Sequence, residues 1–316
     1  MSGSPDQRFA LAQILGAPNA GKSTLVNRLV GSKVSIVTKK VQTTRFPIRG
    51  VMIEGESQLV LVDTPGVFEP RRRLDRAMVR SAWAGVNDAE ILLHVVDAEG
   101  EIAVAEGGAS AAQRRSAADD RAILERLRRE SRRPILVLNK VDAVRREKLL
   151  ALTERKAAED LYGEVFMVSA ETGSGIKDLK ARLAALAPPG PWAYPEDQSA
   201  DMPVRLLAAE ITREKLYLRV HEELPYAAMV ETTAFEERKD GSARIEQTIT
   251  VERDGQKAIV LGKSGQTLKW IGQKAREDLA EILDRPVHLF LHVKVDERWQ
   301  DRRSVYEEAG LDFDAG

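Results

Sequence analysis

The chain has 316 residues, 43% hydrophobic and 31% charged, with a formal net charge of -1. That length predicts about two domains, and the composition excludes a disordered chain, a membrane-embedded one and one coated everywhere in basic residues, though a local basic patch is still allowed. With no cysteine, disulfides, thiol catalysis and sulfur-ligated zinc are excluded and a reducing compartment fits.

The N-terminal "MSGSPDQRFALAQIL" lacks a charged region leading into an apolar one, and no stretch of 18 apolar residues follows, so any membrane contact is expected to be peripheral. In chain order, "FALAQIL", "FPIRGVMI", "SQLVLVDT", "EILLHVVDA", "RPILVLNK" and "GEVFMVSA" read as strands. Helical patterns over 23–30, 117–130, 145–161 and 176–186 lie between or after them. This alternation predicts an α/β domain with a mostly parallel sheet flanked by helices, the short link between the second and third strands giving one antiparallel edge. "EIAVAEGGASAAQRRSAAD" has weak periodicity and reads as a mobile surface insertion.

Pro188, Pro189, Pro191, Pro195 and Pro203 forbid a continuous helix or central strand, so we expect a linker over 188–202 between domains at 1–187 and 203–316. The second half reads as α+β: a helix over 204–220, strands near 227–234 and 245–251, a third short strand through "KAIVL", a helix over 266–283 and the strand "PVHLFLHVKV". The C-terminal "DERWQDRRSVYEEAGLDFDAG" reads as a charged helix with a short tail, without assigned chemistry.

Four short strings follow predicted strands in a fixed order. In "GAPNAGKST", Gly16, Ala17, Pro18, Asn19, Ala20, Gly21, Lys22, Ser23 and Thr24 fit a phosphate-binding loop between strand and helix. Backbone N–H groups and the helix N-terminus would hold the phosphates, Lys22 would reach the β and γ phosphates, and Ser23 would ligate Mg²⁺. In "DTPG", Asp63 would hold a magnesium-bound water and the Gly66 N–H would face the γ-phosphate, with Thr64 and Pro65 between them. In "NKVD", Asn139 and Lys140 precede Asp142, whose carboxylate can accept from both N1–H and the exocyclic amine of guanine; adenine offers neither donor. In "SAE", Ser169 precedes Ala170, whose N–H can meet guanine O6. The set predicts a Mg²⁺-dependent GTP-binding site at the C-terminal ends of the strands. In "KKVQTTR", Thr43 and Thr44 are candidates for completing the Mg²⁺ shell, Thr44 preferred; the alternative is that both merely favour the start of a strand. Lys22, Thr44 and Gly66 are the candidate catalytic groups.

A second Gly-Lys-Ser stands in "LGKSGQ", but Lys257 occupies the place where a second phosphate loop needs glycine. Gly262, Lys263, Ser264 and Gly265 instead fit the GxxG turn of a KH domain, which clamps a sugar-phosphate backbone. Arg253, Lys257, Lys263, Lys269, Lys274 and Arg276 oppose Asp254 alone over 253–276, six against one, a local +5 suited to RNA. Trp270 could stack a base or pack against the sheet; His221, His288 and His292 have no metal-like companions.

Taken together, "GAPNAGKST", "QTTR", "DTPG", "NKVD", "GPWAYPEDQ", "ELPYAAMVE", "VERDGQKAIVLGKSGQTLKWIG" and "PVHLFLHVKV" resemble the bacterial Era family of GTPases over nearly the whole chain. The resemblance implies a GTPase domain followed by a type II KH domain, slow Mg²⁺-dependent GTP hydrolysis to GDP, and binding near the 3′ end of 16S rRNA in assembly of the small (30S) ribosomal subunit. It further implies a monomer in the cytoplasm, peripherally associated with the inner membrane. Two departures from the pattern stand out. The connection over 102–119 is longer than the family usually has, and Val67 stands where Ras-like enzymes carry a water-orienting glutamine. An apolar residue there implies slow turnover helped by a cation or partner. Asn19 matches an asparagine associated with K⁺ ligation in related GTPases; a turn-capping role is the alternative.

Overall fold

The computed structural model describes residues 6–38, 40, 43–220 and 224–315, so His221 and Gln42 lie outside the described residues. The chain forms two compact units. One comprises the chain up to Ser35, Thr44–Asp201 and the residues from Ala309 on; the other comprises Ile36–Thr43 and Met202–Glu308.

The first unit runs β1 (Arg8–Leu15), α1 (Lys22–Val30), β2 (Ile48–Glu54), β3 (Ser57–Asp63), α2 (Arg73–Ala84), β4 (Ile91–Asp97), α3 (Ala98–Ala105), α4 (Ala111–Arg129), β5 (Ile135–Asn139), α5 (Arg146–Ala157), β6 (Glu164–Met167), α6 (Ile176–Leu186) and β7 (Ala200–Asp201). The sheet order is β6-β5-β4-β1-β3-β2-β7. All pairings are parallel except those of β2, which lies antiparallel to β3 and to β7. Central strands are apolar on both faces because helices cover both. Leu93, Val95, Ile135 and Val137 face α1 and α6; their neighbours Val96, Leu136 and Leu138 pack with Ile102 of α3 and with Leu149 and Leu152 of α5. Leu15 and Leu92 meet Trp83 of α2 and Ile123, Leu124 and Leu127 of α4. Open α/β sheets of this kind bind ligands at the C-terminal strand ends.

The stretch over 102–119, expected to be a mobile insertion, is helical. Asp97 caps α3 by accepting from Gly100 N at 3.1 Å. A break at Gly107–Gly108 follows, and Ser110 opens α4 through a reciprocal capping box with Gln113. Alanine is the strongest helix former, so the composition that looked featureless has a high helix propensity. The proline-rich segment is tied to the first unit: Gly190 N donates to Gln7 O at 3.0 Å, and Gln58 Oε1 accepts from Ala193 N and Tyr194 N at 2.9 and 3.0 Å.

The second unit runs α7 (Val204–Arg219), β8 (Ala228–Glu237), β9 (Ala243–Val251), α8 (Asp254–Leu261), α9 (Gln266–Ile282), β10 (Val287–Val295) and α10 (Arg303–Glu308). β9 is central, antiparallel to β8 and parallel to β10. Alternate β9 residues are buried: Ala243, Ile245, Gln247 and Ile249. The "KAIVL" stretch, expected as a strand, is helix α8. Gln256 Oε1 accepts from Glu252 N and Arg253 N at 2.9 and 3.1 Å and starts the helix. A short apolar run does not distinguish strand from helix by period, and here the N-terminal cap decides. Ile36 is buried in this unit's core with Ala208, Ile211, Ala275 and Leu279.

Candidate functional site

The loop from Gly16 to Thr24 joins the end of β1 to α1, with Asn19 at φ 63 on its exposed crest. Lys22 folds back over the loop, its Nζ donating to Gly16 O at 3.0 Å and Ala17 O at 2.9 Å. Burial lowers this ammonium to about 8, against the pull of the Asp63 and Asp120 carboxylates. The Asp120 carboxylate accepts from His94 Nε2 at 3.3 Å and, weakly, from Ala17 N at 3.4 Å. Val67 N donates to Gly16 O at 3.1 Å, and Thr64 Oγ1 to Ile14 O at 2.5 Å, so "DTPG" is pinned against the loop. A side chain on Gly66 would place its Cβ 2.8 Å from Pro18 N.

Three polar groups meet beside Lys22. Ser23 Oγ donates to Asp63 Oδ2 at 2.6 Å, Thr44 Oγ1 to the same oxygen at 3.2 Å, and the two hydroxyls lie 2.9 Å apart. Asp63 Oδ1 is buried without a hydrogen-bond partner among the described residues. Burial pushes the Asp63 carboxyl above the usual carboxylate range, opposed by the Ser23 hydrogen bond and the Lys22 charge. Two hydroxyls and a carboxylate with an unused oxygen form an all-oxygen donor set suited to a hard cation such as Mg²⁺. Thr43 points elsewhere: its hydroxyl donates to Lys40 O at 2.8 Å and lies 2.7 Å from Thr38 Oγ1.

On the far side of the loop, Asn139 is buried and acts as a strut. Its Nδ2 donates to Ala20 O at 2.9 Å and its Oδ1 accepts from Ala170 N at 3.0 Å, joining three of the sequence strings. Gly21, at φ 96, leaves room for it; a Cβ there would lie 2.1 Å from Asn139 Nδ2. Lys140 adopts φ 64 and donates to Asp97 Oδ2 at 2.6 Å, while Asp142 stays exposed. Ser169 Oγ accepts from Thr172 N at 3.0 Å. Arg28 braces the "SAE" loop through Ala170 O at 3.0 Å and Glu171 O. Sequence spacing carried no signal for this arginine. Val67 is 7% exposed and packs with Leu15, Trp83 and Ile123, so its apolar character serves the core.

In the second unit, Gly262 ends α8 and Gly265 begins α9, with Lys263 and Ser264 exposed between them. A Cβ on Gly262, at φ 72, would lie 2.3 Å from Thr267 Oγ1. Arg253 stands exposed at the start of α8, Lys257 is half-buried on it, and Lys269 is exposed on the first turn of α9. Lys274 and Arg276 sit on α9 about 12 and 15 Å beyond its start by helical rise, and Lys274 Nζ lies 2.6 Å from Glu277. Ile259, 55% exposed beside the turn, was hidden by the strand expectation. Trp270 is partly buried against the core under the Arg219 guanidinium, and among the described residues no His/Asp/Glu cluster suited to a metal includes His288 or His292.

Two family descriptions match the chain: "50S ribosome-binding GTPase" over residues 12–140 and "KH domain" over residues 223–300. The chain is 64% identical over 307 residues to GTPase Era of Caulobacter vibrioides (strain NA1000 / CB15N), covering 97% of each chain. It is 55% identical to GTPase Era of Maricaulis maris (strain MCS10), covering 99% of this chain and 100% of that one. A solved structure of Era in complex with MgGDPNP and nucleotides 1506–1542 of 16S ribosomal RNA matches with TM-score 0.86 at 34% identity, covering 96% of this chain and 99% of that one. An Aquifex aeolicus Era variant bound to GDP.AlF4- matches with TM-score 0.86 at 33% identity over the same shares. From the ordered phosphate-loop, DTPG, NKVD and SAE strings through the GKSG turn, the chain belongs to the Era family, P-loop GTPases with a C-terminal KH domain.

Proposed function

We propose that the chain binds the 3′ region of 16S rRNA through its second unit under control of the nucleotide held in its first, and acts in small-subunit assembly. The observation that carries the nucleotide half is the convergence of Ser23, Thr44 and Asp63 around an unused carboxylate oxygen. GTP seats its phosphates in the 16–24 loop, and Lys22 exchanges the Gly16 and Ala17 carbonyls for β and γ oxygens. Ser23 and Thr44 would hold Mg²⁺ directly and Asp63 would hold it through water, where a divalent cation would supply neutralisation of charge on the phosphates. Gly66 N–H contacts the γ-phosphate, which also draws in Thr44, so loss of that phosphate releases both segments. Asp142 reads guanine N1–H and the amine, and Ala170 N–H, held in place by Asn139, meets O6.

The RNA half rests on the exposed GKSG turn and its flanking positive charge. Gly262 and Gly265 let the backbone approach phosphate, Arg253, Lys257, Lys263 and Lys269 add charge, and Ile259 gives a base an apolar surface. Lys274 and Arg276 extend the basic track along α9. Asn19 would hold K⁺, which would supply charge stabilisation that the buried Val67 cannot; equal hydrolysis rates in KCl and NaCl would remove that part. The family resemblance supports a cytoplasmic monomer with peripheral attachment to the inner membrane; among the described residues no helix is long and apolar enough to cross a membrane. The decisive test measures affinity for an RNA carrying the 3′-terminal segment of 16S rRNA with GDP and with a non-hydrolysable GTP analogue. At least a fivefold difference, of the size of ordinary coupling energies, is expected; equal affinities refute the gating.

A further inference from the structure

The first unit carries concentrated positive charge away from its nucleotide loops. Over 71–84, Arg71, Arg72, Arg73, Arg76 and Arg80 stand against Asp75 alone, and the Asp75 carboxylate is occupied by the backbone, accepting from Arg71 N and Arg72 N at 3.1 and 3.0 Å. Arg76 and Arg80 are exposed on α2, and among the described residues neither side chain has a hydrogen bond or an ion pair. Arg128, Arg133 and Arg182, by contrast, meet Glu159, Asp160 and Glu164. The unpaired arginines border an open cleft of about 450 Å³, lined by Arg76, Arg80, Trp83 and Ala84 of α2, by Asn87 just after it and by Arg126 of α4. Trp83, 6% exposed, forms its floor. The Arg126 guanidinium lies 4.1 Å over the indole ring, and Glu130 accepts from its Nε at 2.8 Å. The ring and the carboxylate fix the guanidinium and leave its two Nη groups to the cleft.

Three guanidiniums around one cleft call for an anion, and the planar fork of arginine suits phosphate oxygens taken two at a time. Arg76 and Arg80 stand one turn apart, about 6 Å by helical rise, a step comparable with that between successive phosphates of one strand. A free nucleotide needs an enclosed pocket, and this cleft is open. Among the described residues no large apolar side chain is exposed on α2 or α4, so the face lacks both the wedge an interfacial helix drives into lipid and the anchor a protein partner grips. Asn87 adds an amide, both donor and acceptor, able to meet a ribose 2′-hydroxyl. We infer that the α2–α4 cleft of the first unit is a second RNA-binding surface, in which Arg76, Arg80 and Arg126 grip the phosphates of a single strand. It shares its class of ligand with the reading of the second unit but does not rest on the GKSG turn. A merely solvated charged face predicts no saturable site.

The test places a photo-crosslinking residue at Ala84, exposed at the cleft, in the full chain saturated with GDP. Crosslinking to a labelled oligouridylate, followed against RNA and salt concentration, reads occupancy of this cleft by itself, and a saturable crosslink is expected. Arg76→Gln with Arg80→Gln should raise the half-saturating RNA concentration about 25-fold at about 0.1 M salt and lower the slope of log affinity against log salt by about 1.4, two phosphate contacts on a single strand. Arg126→Gln alone should lower the slope by about 0.7. Arg145→Gln with Arg146→Gln, exposed arginines outside the cleft, should move it by less than about 0.3. Lys263→Glu should leave the Ala84 curve within about twofold, as independent sites do. Absence of a saturable crosslink, or equal shifts in the two double variants, overturns the inference. So does an Ala84 curve that follows Lys263→Glu and ignores the arginines. If instead Lys263→Glu leaves all RNA binding intact while the arginine variants lose it, the GKSG reading fails and this one stands. A crosslink to phosphatidylglycerol vesicles that disappears with the same arginines, while RNA gives none, assigns the cleft to a lipid surface and also overturns it.

Discussion

Replacing Asn139 with alanine removes the strut that joins the phosphate loop to the "SAE" loop. The side chain makes two buried hydrogen bonds, to Ala20 O at 2.9 Å and from Ala170 N at 3.0 Å, and is 2% exposed. Truncation leaves one carbonyl and one N–H without partners in a site closed to bulk water, each costing about 1–3 kcal/mol. The expected loss is therefore about 2–5 kcal/mol, a large share of the ~5–15 kcal/mol typical of a whole domain. Urea unfolding at equilibrium, followed by tryptophan fluorescence and by circular dichroism, measures it as a lower midpoint at unchanged slope. Asn139→Asp keeps the acceptor for Ala170 N but turns a carboxylate oxygen toward Ala20 O, so it should cost at least as much. Guanine nucleotide affinity should fall in parallel, because Ala170 N–H and the loop lose their mutual alignment. An unfolding free energy within about 0.5 kcal/mol of the parent, inside the range of featureless surface changes, refutes the strut even if nucleotide binding is lost.

Asp142→Asn should lose GTP and gain xanthosine triphosphate, whose 2-oxo group accepts where guanine donates; competition binding with both nucleotides checks it, and unchanged preference for GTP removes Asp142 from the base site. Lys263→Ala should weaken RNA binding and lower the slope of log affinity against log salt by about 1, one phosphate contact. Val67→Gln puts an amide into the core beside Trp83 and Ile123; it should cost about 1–3 kcal/mol in urea unfolding without accelerating single-turnover GTP hydrolysis. Burial and the neighbouring Asp120 carboxylate raise Asp119 to about 6 from 3.8, so the folded chain holds that proton more tightly than the unfolded one. Asp119 thus takes away stability as pH climbs from about 4 to about 6. Asp119→Asn should melt higher than the parent above pH 6, an advantage that fades as pH falls toward 4; thermal melts across that window decide it.

Much of the first unit was legible because its strands are short aliphatic runs bounded by turn residues, and β3, buried along its whole length, is the clearest case. α6 matches its expected bounds, Ile176–Leu186, since Gly175 and the prolines after it mark both ends. α2 escaped notice because its pattern opens on charges, "RLDRAM", after a run of arginines. α3 and α4 were read as a mobile loop because alanine carries little hydrophobic contrast, and α8 as a strand because four apolar residues have no discernible period. In the candidate site, the strings that the fold brings together were legible from motif order. The residues that brace the loops around them, Asn27 and Arg28, were not. Asn27, for instance, accepts from Val34 N and Ser35 N and donates to Ser35 O. Such bonds from a side chain to a distant backbone leave no local spacing to read; only the fold brings the partners together.

The polypeptide passes between its two units after Ser35, after Thr43, after Asp201 and after Glu308. A gene cut at residue 201 would not liberate two self-sufficient pieces. The upstream fragment would carry Ile36 without its seat, exposing a side chain now 1% accessible and giving up about 1.5–3 kcal/mol of burial. The downstream fragment would keep an empty hydrophobic socket and an Arg213 guanidinium without the Thr43 carbonyl to which its Nη2 donates at 2.5 Å. Chimeras between relatives therefore need to transplant the short loop together with the distant helix it rests on, and natural shuffling of either half alone faces the same barrier.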